Sequence, residues 1–409
     1  MDAVKLIVVF LLIVIALRRK LSVGLTLLGA GIITALLYQL PISVLLNGYW
    51  ELVQSRPFIF LTTVVILITI LGSLLKELTF LEKLAASCRS LKGGNRTAVS
   101  ILPGMIGLMP MPGGALLSAP LVDNVLQDGD YPADLKLVTN YWFRHIFEFF
   151  WPVYAGIILT EAITGLPIYK VSLLQFPLTI LMATIGLFFF VRKISRGGRG
   201  GESTGKALLG IVGSIWPIVL AITIYGLTKI DLTWAVLISL VALIVVARPS
   251  VQAITLSLKK GFSPNLILLV FGILSFQMVV ELVGAVESIT KLATSYHLPE
   301  ELIIFIVCFT IGILTGMVSA YVGLGYTLLA GFLYQPEIVP SNIFFAYLSG
   351  FVGIMLSPSH VCLILTIDYF KTDLMMVYRR LAVPMLLLVG FAYLIYLSPW
   401  GQLFTYTGR

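Results

Sequence analysis

The sequence predicts an all-α polytopic membrane protein made of two inverted repeats, each with five transmembrane helices plus one re-entrant hairpin. Three observations predict it. Of 409 residues, 59% are hydrophobic and only 11% charged, with a mean hydropathy of +1.03, a balance that suits a bilayer rather than water as solvent. Nearly uncharged runs of about 18 residues or more, each able to cross roughly 30 Å of hydrocarbon as a helix, recur along the whole chain. Two further apolar stretches, 97–122 and 302–334, are interrupted halfway by glycine and proline clusters and read as hairpins that enter and leave by one face.

Charge breaks place ten spans near 4–17, 22–40, 58–75, 137–165, 170–191, 207–227, 231–247, 264–284, 341–367 and 381–398. The first is followed, not preceded, by its basic cluster Arg18, Arg19, Lys20, so it reads as a retained helix rather than a signal peptide. With both interrupted stretches taken as hairpins, 20 of the 27 Lys and Arg residues fall on one side, which the positive-inside rule makes cytoplasmic. Both termini then face out of the cytoplasm, in a multi-pass protein of the cytoplasmic membrane. The net charge of +8 is thereby explained by orientation in the lipid bilayer, and no nucleic-acid partner is expected. Cys88, Cys308 and Cys362 are far apart without CxxC spacing, so neither a disulfide framework nor a zinc site is indicated, and no cofactor is expected.

Five spans and a hairpin precede the basic linker 192–206, and five spans and a hairpin follow it. An odd number of crossings per half inverts the halves, giving repeat 1 at 1–191 and repeat 2 at 207–409. Local matches agree. Lys83-Leu-Ala-Ala-Ser87 precedes the first hairpin and Lys291-Leu-Ala-Thr-Ser295 the second, while Trp151-Pro152 aligns with Ser357-Pro358 at a shift of 206.

Bare backbone at membrane depth must line protein or a wet cavity, since each orphaned N–H or C=O costs several kcal/mol in hydrocarbon. Four places require such a setting: a first hairpin tip at Met109-Pro-Met-Pro-Gly-Gly114, a second at Ser319-Ala-Tyr-Val-Gly-Leu-Gly325, and breaks at Pro152 and at Ser357-Pro-Ser-His360. Taken singly, each equally well describes a kinked helix or a close helix contact, as Gly312-x-x-x-Gly316 suggests. Taken together, they predict a substrate pocket from Pro112, Gly113, Gly114, Arg144, Trp151, Pro152, Tyr154, Ser319, Gly323, Gly325, Ser357, Pro358, Ser359 and His360.

Asn140, Arg144 and Glu148 recur at i, i+4, i+8 on the helix leading to Pro152, with His145 beside them, and their repeat-2 counterparts are apolar or small. The asymmetry marks Arg144 as an anion contact, and Asn140, His145 and Glu148 as the coupling-ion group. The bland alternative is an Arg144 that snorkels to headgroups or pairs only with Glu148. Ser357 and His360 have no GxSxG setting, and His145 with Glu148 is not HExxH, so no soluble-enzyme signature is present.

Through Pro103-Gly-Met-Ile-Gly-Leu-Met-Pro-Met-Pro-Gly-Gly-Ala-Leu-Leu-Ser118 and Leu356-Ser-Pro-Ser-His360, the chain resembles an uncharacterised prokaryotic permease family of the ion transporter superfamily. Gluconate permeases, citrate carriers and divalent-anion/sodium symporters are its relatives. The resemblance implies a homodimer with an elevator-type fold. Residues 1–96 and 207–301 would be scaffold, and hairpins 97–122 and 302–334 would move with transport helices 137–191 and 341–398. The Ser-Asn-Thr hairpin tips of the divalent-anion symporters are absent, which favours protons over sodium. The expectation is a secondary active transporter of a small organic anion, coupled to protons or sodium, and no enzyme. A cation/proton antiporter is the alternative within transport, and an intramembrane enzyme or a channel the alternative outside it.

Overall fold

The computed structural model describes residues 2–19, 21–89, 94–108, 114–197, 204–228, 230–285, 297–334 and 337–405. Among these residues all regular structure is helical, apart from one isolated bridge between Tyr334 and Ile338. In chain order the helices are α1 (Asp2–Arg18), α2 (Val23–Leu37), α3 (Ile42–Gln54), α4 (Arg56–Glu77), α5 (Phe80–Arg89), α6 (Gly94–Gly107), α7 (Gly114–Val125), α8 (Ala133–His145) and α9 (Ala155–Thr164). There follow α10 (Ile168–Phe189), α11 (Thr204–Thr228), α12 (Leu232–Ala247), α13 (Val251–Gly261), α14 (Pro264–Leu282), α15 (Glu300–Thr315), α16 (Pro340–Met355), α17 (Val361–Phe370) and α18 (Leu374–Leu397).

Among the described residues, five segments are long and apolar enough to cross a membrane: Arg56–Glu77, Ile168–Lys193, Gly205–Thr228, Val251–Leu282 and Leu374–Leu397. With the shorter apolar helices between them, they make this a membrane protein. Three helices were not among the expected spans: α3, α5 and α13. In α3 the apolar Ile42, Leu46 and Trp50 recur every four residues and stay exposed, forming a stripe along one face. The linker expected at 192–206 is shorter than drawn, because α11 already begins at Thr204. Its first residues are pinned to the start of α6, where Arg96 donates to the Ile194 and Arg192 carbonyls at 2.6 and 2.9 Å.

Both interrupted stretches fold back on themselves. The arms α6 and α7 pack together, and the expected first tip at 109–113, with Pro112 and Gly113, lies outside the described residues. The second hairpin turns earlier than expected. Helix α15 stops at Thr315, and Gly316 takes the left-handed φ of +64° that ends a helix without a Cβ penalty. Ser319–Gly325 therefore belongs to the returning arm, where Tyr321–Gly325 widens into a π-helical turn. Glycine there serves packing: a Cβ on Gly323 would sit 2.9 Å from the Ile273 side chain, and one on Gly325 would sit 3.1 Å from the Cys308 sulfur.

The two expected broken helices are broken. Helix α8 tightens into a 3₁₀ turn, Ile146–Phe149, and α9 resumes only at Ala155. Helix α16 stops at Met355, and α17 starts at Val361. Elsewhere close helix approach depends on glycine. A Cβ on Gly24 of α2 would lie 2.4 Å from the Leu268 carbonyl oxygen of α14, and one on Gly272 of α14 would lie 2.2 Å from the Gly24 carbonyl. Gly312 does the same between α15 and α16, with the Gly350 carbonyl 2.3 Å from an added Cβ.

Gly272→Val should push α2 from α14 and destabilise the protein by about 1–3 kcal/mol, as overpacking does. Gly213→Val has open space around it and should leave the thermal unfolding midpoint in detergent unchanged. Equal midpoints for the two variants would contradict the α2–α14 contact.

Candidate functional site

The carbonyls freed at each break need donors, and each break receives one from the other half of the chain. Tyr141 of α8 donates its hydroxyl to the Met355 carbonyl at the end of α16, at 3.2 Å. Tyr347 of α16 donates to the Glu148 carbonyl in the 3₁₀ turn after α8, at 2.8 Å. These tyrosines are 206 positions apart, the shift that aligns Pro152 with Pro358. Thr179 supplies the Ile146 carbonyl at 3.0 Å, and Tyr378 supplies Leu356 at 2.7 Å.

The same reciprocity joins each break to a hairpin. Tyr154, in the first break, donates to the Gly107 carbonyl at the end of α6. His360, 206 positions on, contacts the Gly316 carbonyl through Nδ1 at 2.8 Å. Ser357 adds a bond to the Ile313 carbonyl at 2.7 Å, and Ser359 one to Leu314 at 3.3 Å. Ser357 and Ser359 thus cap the orphan carbonyls in the last turn of α15. Sequence reading placed them in a pocket; the structure engages both with the protein's own backbone, and Ser359 also lines a cavity.

Arg144 lies in the last turn of α8 and is 2% exposed. Its backbone is so close to the first hairpin that a Cβ on Gly107 would lie 2.4 Å from the Arg144 carbonyl oxygen. Its guanidinium lies against the first residue of α7: a Cβ on Gly114 would come within 2.7 Å of Nη2 and 2.8 Å of Nε. Nη1 donates to the Tyr154 hydroxyl at 3.2 Å and pairs with Glu148 Oε1 at 3.6 Å. The snorkelling alternative for Arg144 therefore does not hold: the charge is enclosed by a hairpin tip, a break and a carboxylate.

Of the expected residues, the structure brings together Gly114, Arg144, Tyr154, His145, Glu148 and His360. Asn140 is buried one turn before Arg144, and Pro152 is buried in the first break. In that break Trp151 is half-buried, with its Nε1 buried and lacking a hydrogen-bond partner. Ser319 is buried at the start of the returning arm, while Gly323 and Gly325 lie in the packed π turn, away from these groups. Three residues were missed by sequence reading. Gly107 and Gly316 supply the hairpin carbonyls, and Cys362 lies beside the two histidines. A cavity of about 1130 Å³ lined by Arg18, Ser22, Asn265 and Tyr378 reaches Thr315, Met317, Pro358 and Ser359, and so opens onto the second hairpin turn and the second break.

Tyr347→Phe would strand the Glu148 carbonyl in an apolar setting and should cost about 1–3 kcal/mol of stability. Tyr169 is half exposed at a helix start, and Tyr169→Phe should shift stability by less than about 0.5 kcal/mol. Thermal unfolding of the two variants side by side checks the reciprocal bonds.

The model of a family described as "Protein of unknown function (DUF401)" matches residues 3–398. No curated protein matches the chain. Among solved structures, the chain is similar to the Alcanivorax borkumensis YdaH transporter, described as having an unusual topology, at 13% identity and a TM-score of 0.58 over 88% of this chain and 89% of that one. The likeness is one of fold.

Proposed function

We propose that this chain, which belongs to the DUF401 family, is a secondary active transporter moving a small organic anion across the cytoplasmic membrane. The observation that carries this reading is the buried Arg144 guanidinium set against the N-terminus of α7. A guanidinium and the positive end of a helix dipole repel each other, and an anion bound beside the two satisfies both. Glu148, at 3.6 Å, is the internal counter-ion that a substrate carboxylate displaces. The Trp151 indole N–H adds an unused donor in the same break. A fold shared with a protein described as a transporter supports the reading.

In the proposed cycle the two hairpins and broken helices, with α10 and α18, move against a scaffold of the remaining spans, in an elevator-like alternating-access step within a homodimer. The halves are inverted repeats, and both termini lie outside the cytoplasm. Reciprocal use of residues 206 apart supports the repeat. The cavity beside Arg18 is the cytoplasmic entrance, since Arg18 belongs to a basic cluster. Kinship with the ion transporter superfamily and its gluconate and citrate carriers belongs to the same reading. A proton or sodium ion is the coupling cation, with Asn140 and Glu148, one turn to either side of Arg144, as its contacts.

The test is uptake of a panel of small radiolabelled carboxylates into proteoliposomes under imposed proton or sodium gradients. Arg144→Gln should abolish uptake with folding intact. Arg144→Lys, which keeps the charge but loses the planar fork, should retain a small fraction of it. Undiminished uptake by Arg144→Gln would sink the assignment.

A further inference from the structure

The two histidines that meet between the breaks are held by their outer nitrogens. His145 Nδ1 lies 2.6 Å from the Tyr141 carbonyl oxygen, and His360 Nδ1 lies 2.8 Å from that of Gly316. A carbonyl oxygen only accepts, so each Nδ1 carries the hydrogen and each neutral ring presents its Nε2 lone pair. Those two lone pairs face each other at 3.1 Å. Two acceptors at that separation repel unless a cation lies between them. The third donor is the buried Cys362 sulfur: its Sγ and the ring nitrogens of His145 and His360 all lie within 4.8 Å of one another.

We propose that His145, His360 and Cys362 form a site for one zinc-like transition-metal ion, bridging α8 to the start of α17. The donor set of two imidazoles and a thiolate suits zinc and its borderline-soft neighbours. Two nitrogens at about 2.05 Å from a tetrahedral zinc lie about 3.4 Å apart, close to the separation present here. Imidazoles whose remaining N–H groups are fixed on main-chain carbonyls are the usual outer support of metal-bound histidine. A shared proton would satisfy the two rings, but it leaves the sulfur no role beyond a hydrogen bond to His145.

The local fold explains the convergence. His145 closes α8, whereas His360 is the residue before α17 and Cys362 falls in that helix's first turn. Glu148 Oε1, 3.9 Å from His145 Nε2, is an oxygen donor available for a fourth position. A divalent ion and the Cys362 thiolate leave one positive charge, beside the opposed pair Arg144 and Glu148. A bound ion would tie the turn of the second hairpin, through His360 and Gly316, to α8.

The experiment does not depend on any transport assay. Tag-free, metal-stripped full-length protein in detergent is titrated with Co²⁺ and competed with Zn²⁺, with absorption read for the thiolate-to-cobalt charge-transfer band. One ion per chain is expected, with that band present and Zn²⁺ displacing it. Cys362→Ser should lose the band, and His360→Gln should weaken binding about tenfold or more. Apo-protein unfolding midpoints within a few degrees of wild type identify the variants that fold. A wild-type protein that binds Co²⁺ no more tightly than the Cys362→Ser, His360→Gln double variant overturns the proposal and leaves a shared proton as the occupant. So does a complex without the charge-transfer band.

Discussion

Two helices of this protein stop in the middle of an apolar interior, and the carbonyls they release must find donors there. Each unsatisfied one costs about 1–3 kcal/mol, a large share of the stability of any fold. The donors come from across the molecule, with Tyr141 serving the break after α16 and Tyr347 serving the break after α8. That exchange fixes the two breaks side by side. Everything nearby follows from it: Tyr154 and His360 then reach the last carbonyls of the two hairpin arms, and Arg144 is carried against the start of α7.

The Ser-Pro-Ser-His segment shows how a motif can be conspicuous for a reason other than ligand contact. Proline ends α16, and both serines and the histidine are spent on the last carbonyls of α15. What remains available is the far side of the His360 ring, which meets His145. In the first break the matching positions are Trp151, Pro152, Val153 and Tyr154, which cap less and leave more apolar surface. The two breaks therefore solve the same backbone problem with different chemistry, and the buried charges Arg144 and Glu148 belong to the first.

Much of the fold was legible because proline and glycine interrupt otherwise uniform apolar runs. That signal located both broken helices and both hairpins. It misplaced the second turn because Gly323 and Gly325 look like turn residues, although they let a π-helical arm press against Ile273 and Cys308; the actual turn depends on Gly316, which looked like a packing glycine. Arg144 and Glu148 stood out as charges in an apolar helix. Tyr141 and Tyr347 did not, since aromatic residues are common in such helices, although the shift of 206 pairs them. Cys362 could not be read at all: its neighbours His145 and His360 come from separate parts of the chain, and only folding assembles them.

The position equivalent to Arg144 in the second half is Gly350, and the ring of Tyr321 fills the room that its missing side chain leaves: an added Cβ would sit 2.2 Å from Tyr321 Cδ2. A cationic side chain cannot be accommodated there without expelling that ring. The correspondence between positions 206 apart thus ends at this pair: one break carries a buried guanidinium, and the other fills the matching space with an aromatic ring.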